Sequence, residues 1–353
     1  MQIIKAEIIP VELKLKQPVR LANHPLINQV TSIFIRADTL DGRTAWGCSV
    51  VHPDLTGESI ENAVNACIIA AEKVVDLHPT DIEFSLNELK PLTSTSRAAT
   101  CAFDLLFHDL LGLAAGMPLF KILGGYRYKI QTSATVSLSE LHESVELAKQ
   151  LAAMGFRILK VKGGEDPDKD VRRIEAINRA LPDHVLRLDA DGGYDIQTAL
   201  DVARALEKTI EFIEQPTPAS DQLSLQKVTQ NSPVPVLADQ SVTGPSSALE
   251  LAAGRKVDGM SIKMATCGGF RSAQQIDSIS RAADITTMIS CIIEPALQIS
   301  AGLHLALSSP NVGYADLDGH LGLQFDPTRP GFRLEDGWLI ASDAPGLGCI
   351  AVL

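Results

Sequence analysis

Five charged residues recur along this chain at a near-constant period, and each closes a short apolar run. Lys162, Asp189, Glu214, Asp239 and Lys263 lie 27, 25, 25 and 24 positions apart. Turn residues and then a helix-like stretch follow each of them. One strand, one crossover helix and two loops need roughly 25 residues at the short end of a βαβ repeat. The period therefore predicts repeated βα units with one charged side chain at each strand's C-terminal end. In a (β/α) barrel that face carries the chemistry.

The rest of the chain fits around this repeat. Strand patterns fall at Ile3–Leu15, Gln29–Ala37 and Thr44–Val51, with Asp41-Gly42 as a turn, and helical patterns fill residues 57–115. From residue 130 onward, strands are expected at Gln131–Val136, Arg157–Lys162, Val185–Ala190, Glu211–Glu214, Val234–Ala238, Gly259–Lys263, Thr286–Ser290 and Gly313–Leu317. Seven helices separate these eight strands, and no amphipathic helix follows the last one. The expected fold is α/β: a (β/α)7β TIM-like barrel with an N-terminal α+β capping domain. Its expected parts are residues 1–125 as the cap, 126–320 as the barrel with the metal site, and 321–353 as a tail returning to the cap.

Net charge and cysteine usage narrow the class. A net charge of −12 with no Lys/Arg run argues against nucleic acid. Six scattered cysteines without a CxxC pair read as reduced thiols, and so as a cytoplasmic protein. The segment Met1–Pro10 alternates like a strand and lacks the apolar block of a signal peptide. The apolar stretch Thr100–Phe120 is broken by Asp104, His108, Asp109 and Pro118, short of the about 20 residues of a membrane helix. The expected partners are a small-molecule substrate and further copies of the chain.

Asp189, Glu214 and Asp239 close neighbouring strands about 4.8 Å apart, so three carboxylates converge and call for a divalent cation. All-oxygen ligation favours Mg²⁺ or Mn²⁺, and the absence of His or Cys at these strand ends disfavours zinc. Lys160 and Lys162 share one face of their strand, and Lys263 lies on the far side of the trio. Lysines on both flanks suit the movement of a proton across a carbon next to a carboxylate, whose enolate a metal stabilises. Nearby cations are expected to lower the lysine pKa values into the working range.

The matching motifs are Lys160-Val-Lys162, Asp189-Ala-Asp191, Ile213-Glu-Gln-Pro216, Ala238-Asp-Gln-Ser241, Ile262-Lys263 with Gly268-Gly269, and Asp109-Leu-Leu-Gly112 with Leu119–Gly125. In these the chain resembles the enolase superfamily, muconate lactonizing enzyme subgroup, over essentially its whole length. The resemblance implies Mg²⁺ on Asp189, Glu214 and Asp239, acid/base roles for Lys162 and Lys263, and Lys160 against the substrate carboxylate. Asp191 stands where the resemblance implies Asn, and Gln240 where it implies Glu. The first adds negative charge near the metal, and the second removes a negative neighbour of Lys263.

Asp316-Leu-Asp318-Gly319 closes the eighth strand. Its two carboxylates share a face and want a cationic partner. In this it resembles the dipeptide epimerases and implies an isomerase: the acid pair would hold the α-ammonium of an L,L-dipeptide while Lys162 and Lys263 invert the α-carbon of the second residue. Side-chain selection is expected from two cap loops, Pro18–Pro25 with Arg20, Asn23 and His24, and Ser49–Gly57 with His52 and Asp54. Cys291 and Glu294 match a segment near the substrate. The alternatives are an o-succinylbenzoate synthase or muconate cycloisomerase, an N-acylamino-acid racemase, and a non-catalytic barrel.

Overall fold

Alternating apolar residues make the cap a sheet. In the computed structural model, which describes residues 1–22 and 24–353, Ile3–Val19 (β1), Ile27–Thr39 (β2) and Thr44–Val51 (β3) pair antiparallel in the order β1-β2-β3. Helices Pro53–Thr56 (α1), Ile60–Val74 (α2), Ile82–Thr93 (α3), Arg97–Ala115 (α4) and Leu119–Ile122 (α5) follow. α4 starts where the Ser96 hydroxyl accepts from Ala99 N, and it ends at left-handed Gly116. It is long and apolar enough to cross a membrane, yet Phe103, Leu106, Phe107 and Leu110 are fully buried. The helix packs on β3, so close that a Cβ at Gly47 would stand 2.0 Å from Ala102 O.

Lys129–Gln131 (β4) precedes eight parallel strands: Ala134–Val136 (β5), Ile158–Lys162 (β6), Val185–Asp189 (β7), Ile210–Glu214 (β8), Val236–Ala238 (β9), Gly259–Lys263 (β10), Thr286–Ser290 (β11) and Val312–Asp316 (β12). They neighbour one another in chain order, and Ser133 N donates to Ala315 O to bring the last strand back to the first. Leu141–Ala153 (α6), Pro167–Ala180 (α7), Ile196–Ala205 (α8), Gln222–Asn231 (α9), Pro245–Ala253 (α10), Phe270–Ala282 (α12) and Ala296–Ser308 (α13) are the seven crossover helices, with one short extra helix, Met264–Cys267 (α11), after β10. The lower barrel is plugged by Arg187, whose guanidinium lies 5.0 Å from the Phe212 ring and 4.9 Å from the Tyr314 ring. This architecture is the expected one.

One expected strand is two. Residues 129–131 pair with Trp338–Ala341 (β15) and only Ala134–Val136 enters the barrel, because Thr132 N bonds to Gly337 O while Ser133 N bonds to Ala315 O. The tail makes Thr328–Arg329 (β13), Phe332–Glu335 (β14), β15 and Ile350–Ala351 (β16). It reaches the cap where Gln324 N donates to Lys14 O and where Leu347 N donates to Asp109 Oδ1. It also closes the barrel floor through β15 and β4. On these contacts we propose the division into residues 1–125, 126–320 and 321–353. All six cysteines are unpaired.

His304, on α13, ties the three parts together. Its Nδ1 accepts from Phe120 N, and its Nε2 is 3.2 Å from Leu347 O. Burial pushes the imidazole down to about 4. Its folded pKa lies below the unfolded value, so the stability it gives is present above about 6.5 and lost as the pH falls towards 4. Unfolding free energy is expected to be about 2 kcal/mol lower at pH 5 than at pH 7 from this group. Chemical denaturation of the wild type and His304→Gln at both values checks this, and an equal pH slope in the two proteins refutes it.

Candidate active site

Parallel register sets the strand ends at one level. Lys162 is opposite Asp189 and Asp189 opposite Glu214 on one side of the ring. On the other side Lys263 is opposite Ser290 and Ser290 opposite Asp316. A cavity of about 570 Å³ opens between this rim and the cap. Lys160, Lys162, Asp191, Asp239, Gln240, Lys263, Cys291, Asp316, Asp318 and His24 line it, with Val19, Leu21, Leu55, Ile292, Ile293 and Leu321 as an apolar wall.

Asp189, Glu214 and Asp239 each place an oxygen within 4.8 Å of the others, and all three are buried. Lys160 Nζ lies 2.9 Å from Glu214 Oε2, yet neither Glu214 oxygen receives a well-directed hydrogen bond. Burial and the Asp189 charge push the Glu214 carboxyl up to about 8. Burial acts in the same direction on Asp189, but Lys160 and Lys162 outweigh it and hold that carboxyl below its usual range. Two orphaned buried oxygens beside two more carboxylates form a donor set for a hard cation such as Mg²⁺.

The lysines are held by acids. Lys160 Nζ lies 2.8 Å from Asp189 Oδ2 and 2.7 Å from Asp316 Oδ2. Lys162 Nζ donates to Asp189 Oδ2 at 2.8 Å and lies 3.0 Å from both oxygens of Asp191. Lys263 Nζ donates to Asp239 Oδ2. Burial would lower all three ammonium pKa values, but the facing carboxylates outweigh it and raise them. The protein alone thus runs opposite to the depression expected from the sequence. Asp189, Asp191, Glu214, Asp239, Asp316 and Asp318 outnumber the three lysines, an excess of acid that suits a bound cation.

The strand-eight acids differ from a free pair. Asp316 accepts from Lys160, from Ser133 Oγ at 2.6 Å and from Ser290 Oγ at 3.2 Å. Burial would raise its carboxyl, but Lys160 outweighs that and lowers it. Asp318 Oδ2 accepts from Thr135 N at 2.6 Å, while Oδ1 has only the Cys291 thiol at 3.8 Å among the described residues. Burial and the Asp316 charge push Asp318 up to about 6. The acceptor open to an incoming cation is therefore Asp318 Oδ1.

The loop residues are spread out. His24 lines the cavity, whereas Arg20 makes a two-point pair with Glu165, just past β6, at 3.1 and 2.9 Å. Asn23 lies outside the described residues. His52 caps α1 by accepting from Asp54 N. Glu294 is buried outside the cavity lining, and burial raises it to about 8. Burial also raises the Cys291 thiol, which disfavours a thiolate nucleophile.

Gln215 was not singled out from the sequence. Fully buried and left-handed at φ 37, it accepts from Asp239 N and Ser241 N and donates to Thr217 O and Ser241 Oγ. It fixes the loop that carries Asp239. Its sequence signal is its place in Ile213-Glu-Gln-Pro216, directly after Glu214.

A closed ring of parallel strands, an acid trio on its rim and a lysine on each flank define an α/β barrel built for cation-assisted proton transfer. The chain belongs to the enolase superfamily: a family model described as Enolase C-terminal domain-like matches residues 143–350. It is 34% identical to the L-Lys-D/L-Arg epimerase of Methylococcus capsulatus over 95% of both proteins. The Enterococcus faecalis dipeptide epimerase complexed with Mg and L-Leu-L-Tyr superposes with a TM-score of 0.95 at 31% identity, covering 99% of each chain. The substrate-liganded L-Ala-D/L-Glu epimerase of Bacillus subtilis gives a TM-score of 0.95 at 29% identity, again over 99% of each.

Proposed function

We propose that this chain is a Mg²⁺-dependent dipeptide epimerase, an isomerase that inverts the α-carbon of the C-terminal residue of an L,L-dipeptide. The observation that carries this reading is one cavity holding Lys162 and Lys263 on either side of the acid trio, with the open Asp318 Oδ1 at another wall. Asp189, Glu214 and Asp239 would hold the cation. Bound there, Mg²⁺ supplies positive charge that offsets the carboxylates around the lysines and stabilises charge developing on a substrate carboxylate.

The chain's own residues do the rest. One lysine removes the α-proton, and the electron pair of the broken C–H bond moves into the adjoining carboxylate as a planar enolate. The second lysine delivers a proton to the opposite face, so nothing is oxidised or reduced. Lys160 neutralises the acids that link the cation side to Asp316. Asp318 receives the dipeptide ammonium, with Asp316 behind it. Cys291 packs beside Asp318, and Glu294 supports that loop from the core. His24 faces the cavity as a side-chain contact, while Arg20 holds the first cap loop to the barrel through Glu165.

Substrates of a muconate cycloisomerase, an o-succinylbenzoate synthase or an N-acylamino-acid racemase carry no free α-ammonium for Asp318, so the dipeptide reading stands ahead of them. A cytoplasmic location is proposed on the six unpaired thiols. A homo-oligomer is proposed on the exposed aromatics Tyr126, Tyr128 and Phe325. The functional test is a library of L,L-dipeptides in D₂O with Mg²⁺, read by mass spectrometry. One α-deuterium and the L,D product are expected, and EDTA should stop both. A library with no exchange overturns the epimerase, and exchange that survives thorough chelation removes the cation.

A further inference from the structure

The two lysines are not held alike. Lys162 has two partners, Asp189 and Asp191, whereas Lys263 has only Asp239 among the described residues. Asp189 and Asp239 both belong to the acid trio, so a cation bound there competes with the lysines for them. Asp191 lies outside the trio. Its carboxylate spans Lys162 Nζ with both oxygens at 3.0 Å, and its side chain is 4% exposed.

Asp191 is itself clamped. Its backbone is left-handed at φ 46, a conformation that costs a residue with a Cβ about 1–2 kcal/mol and that Asp tolerates better than most. Asp191 N donates to Asp189 Oδ1 at 3.2 Å. From across the rim, Gln240 Nε2 donates to Asp191 Oδ1 at 3.0 Å. Gln240 sits on the loop that Gln215 fixes through Asp239 N and Ser241 N. A strained backbone, a bond from a distant loop and a two-oxygen grip on one ammonium all converge on Lys162, and no such assembly serves Lys263 among the described residues.

We propose that Asp191, clamped by Gln240, is the positioning residue for Lys162, keeping that lysine alone aimed at its face of the substrate once the trio binds its cation. The inference rests on the proton-transfer reading above. It makes the two faces of the site unequal: one base is preset by a dedicated carboxylate and the other is aimed by the substrate.

The kinetic test is stereospecific exchange. In D₂O each isomer presents its α-hydrogen to one lysine, which can remove it and return deuterium to the same face. With Asp191→Ala, exchange into the isomer served by Lys162 should fall about a hundredfold, the usual cost of misplacing a reacting group by about 1 Å. Exchange with retention into the other isomer should stay near the wild-type rate. The exchange of Asp191→Asn/Gln240→Glu should keep the loop-to-loop hydrogen bond but lose the two-oxygen grip, and so behave like Asp191→Ala. Equal loss on both isomers, or a double variant restored to wild type, overturns the proposal. A readout independent of substrate is the crystal structure of the Mg²⁺-loaded protein. Lys162 should remain on Asp191 in the wild type and move in Asp191→Ala, and an unmoved ammonium overturns the proposal even if no dipeptide turns over. Absence of exchange by the wild type with any dipeptide would instead sink the epimerase reading and leave the crystallographic arm to decide.

Discussion

Lys162→Ala and Lys263→Ala are each expected to lower epimerisation by about 10²–10⁴-fold, the usual worth of a positioned acid or base. The two strands that carry them, β6 and β10, stand on opposite sides of the acid trio, with three strands between them in the ring order. Inversion needs a proton taken from one face and returned to the other, so either loss stops it. Exchange without inversion needs only one lysine. Each variant should therefore still incorporate deuterium into one isomer, and the surviving isomer should differ between the two variants. Proton NMR of both isomers in D₂O reads this directly. Near-wild-type epimerisation in either variant sinks the two-base scheme, and loss of exchange from both isomers in both variants would place the lysines in binding rather than in proton transfer.

The rim was legible because each of its charged residues interrupts an apolar run that has to be a buried strand, and parallel register then leaves no freedom in where the side chains meet. The barrel strands follow for the same reason, with ends shifted by a residue or two. What the sequence did not carry is pairing between distant loops. Asp316 and Asp318 look equivalent two residues apart, but Ser133, Ser290 and Lys160 come to Asp316 from three other strands or their approaches. Arg20 looks available to a substrate until Glu165 is found against it. Asp191 and Gln240 read as two separate departures, one adding charge and one removing it, yet they are the two ends of one hydrogen bond. The segment Gln131–Val136 has one strand pattern, and only the arrival of β15 from the tail divides it.

Lys160→Met is expected to be among the most destabilising single changes in the barrel. The Lys160 side chain is 3% exposed, and its ammonium lies within 2.9 Å of Asp189, Glu214 and Asp316. Met keeps most of the stem but removes the charge, leaving three buried carboxylates facing one another. Removing one partner from a buried ion network typically costs about 3–5 kcal/mol. The sign of the pH dependence follows from Asp316. Lys160 holds its folded pKa below the unfolded value, so the contribution is present above about 3.9 and lost as the pH falls through the folded value. The gap between wild type and variant should therefore be widest near pH 7 and should narrow under acid, where the freed carboxylates take up protons. Mg²⁺ should raise the variant's melting temperature more than the wild type's, because the cation no longer competes with an ammonium for Asp189 and Glu214. Denaturant unfolding at pH 7 and pH 3, and thermal melts at pH 7 with and without Mg²⁺, test all three expectations. A variant as stable as the wild type at pH 7 without metal would mean that these carboxylates do not depend on Lys160 for their charge.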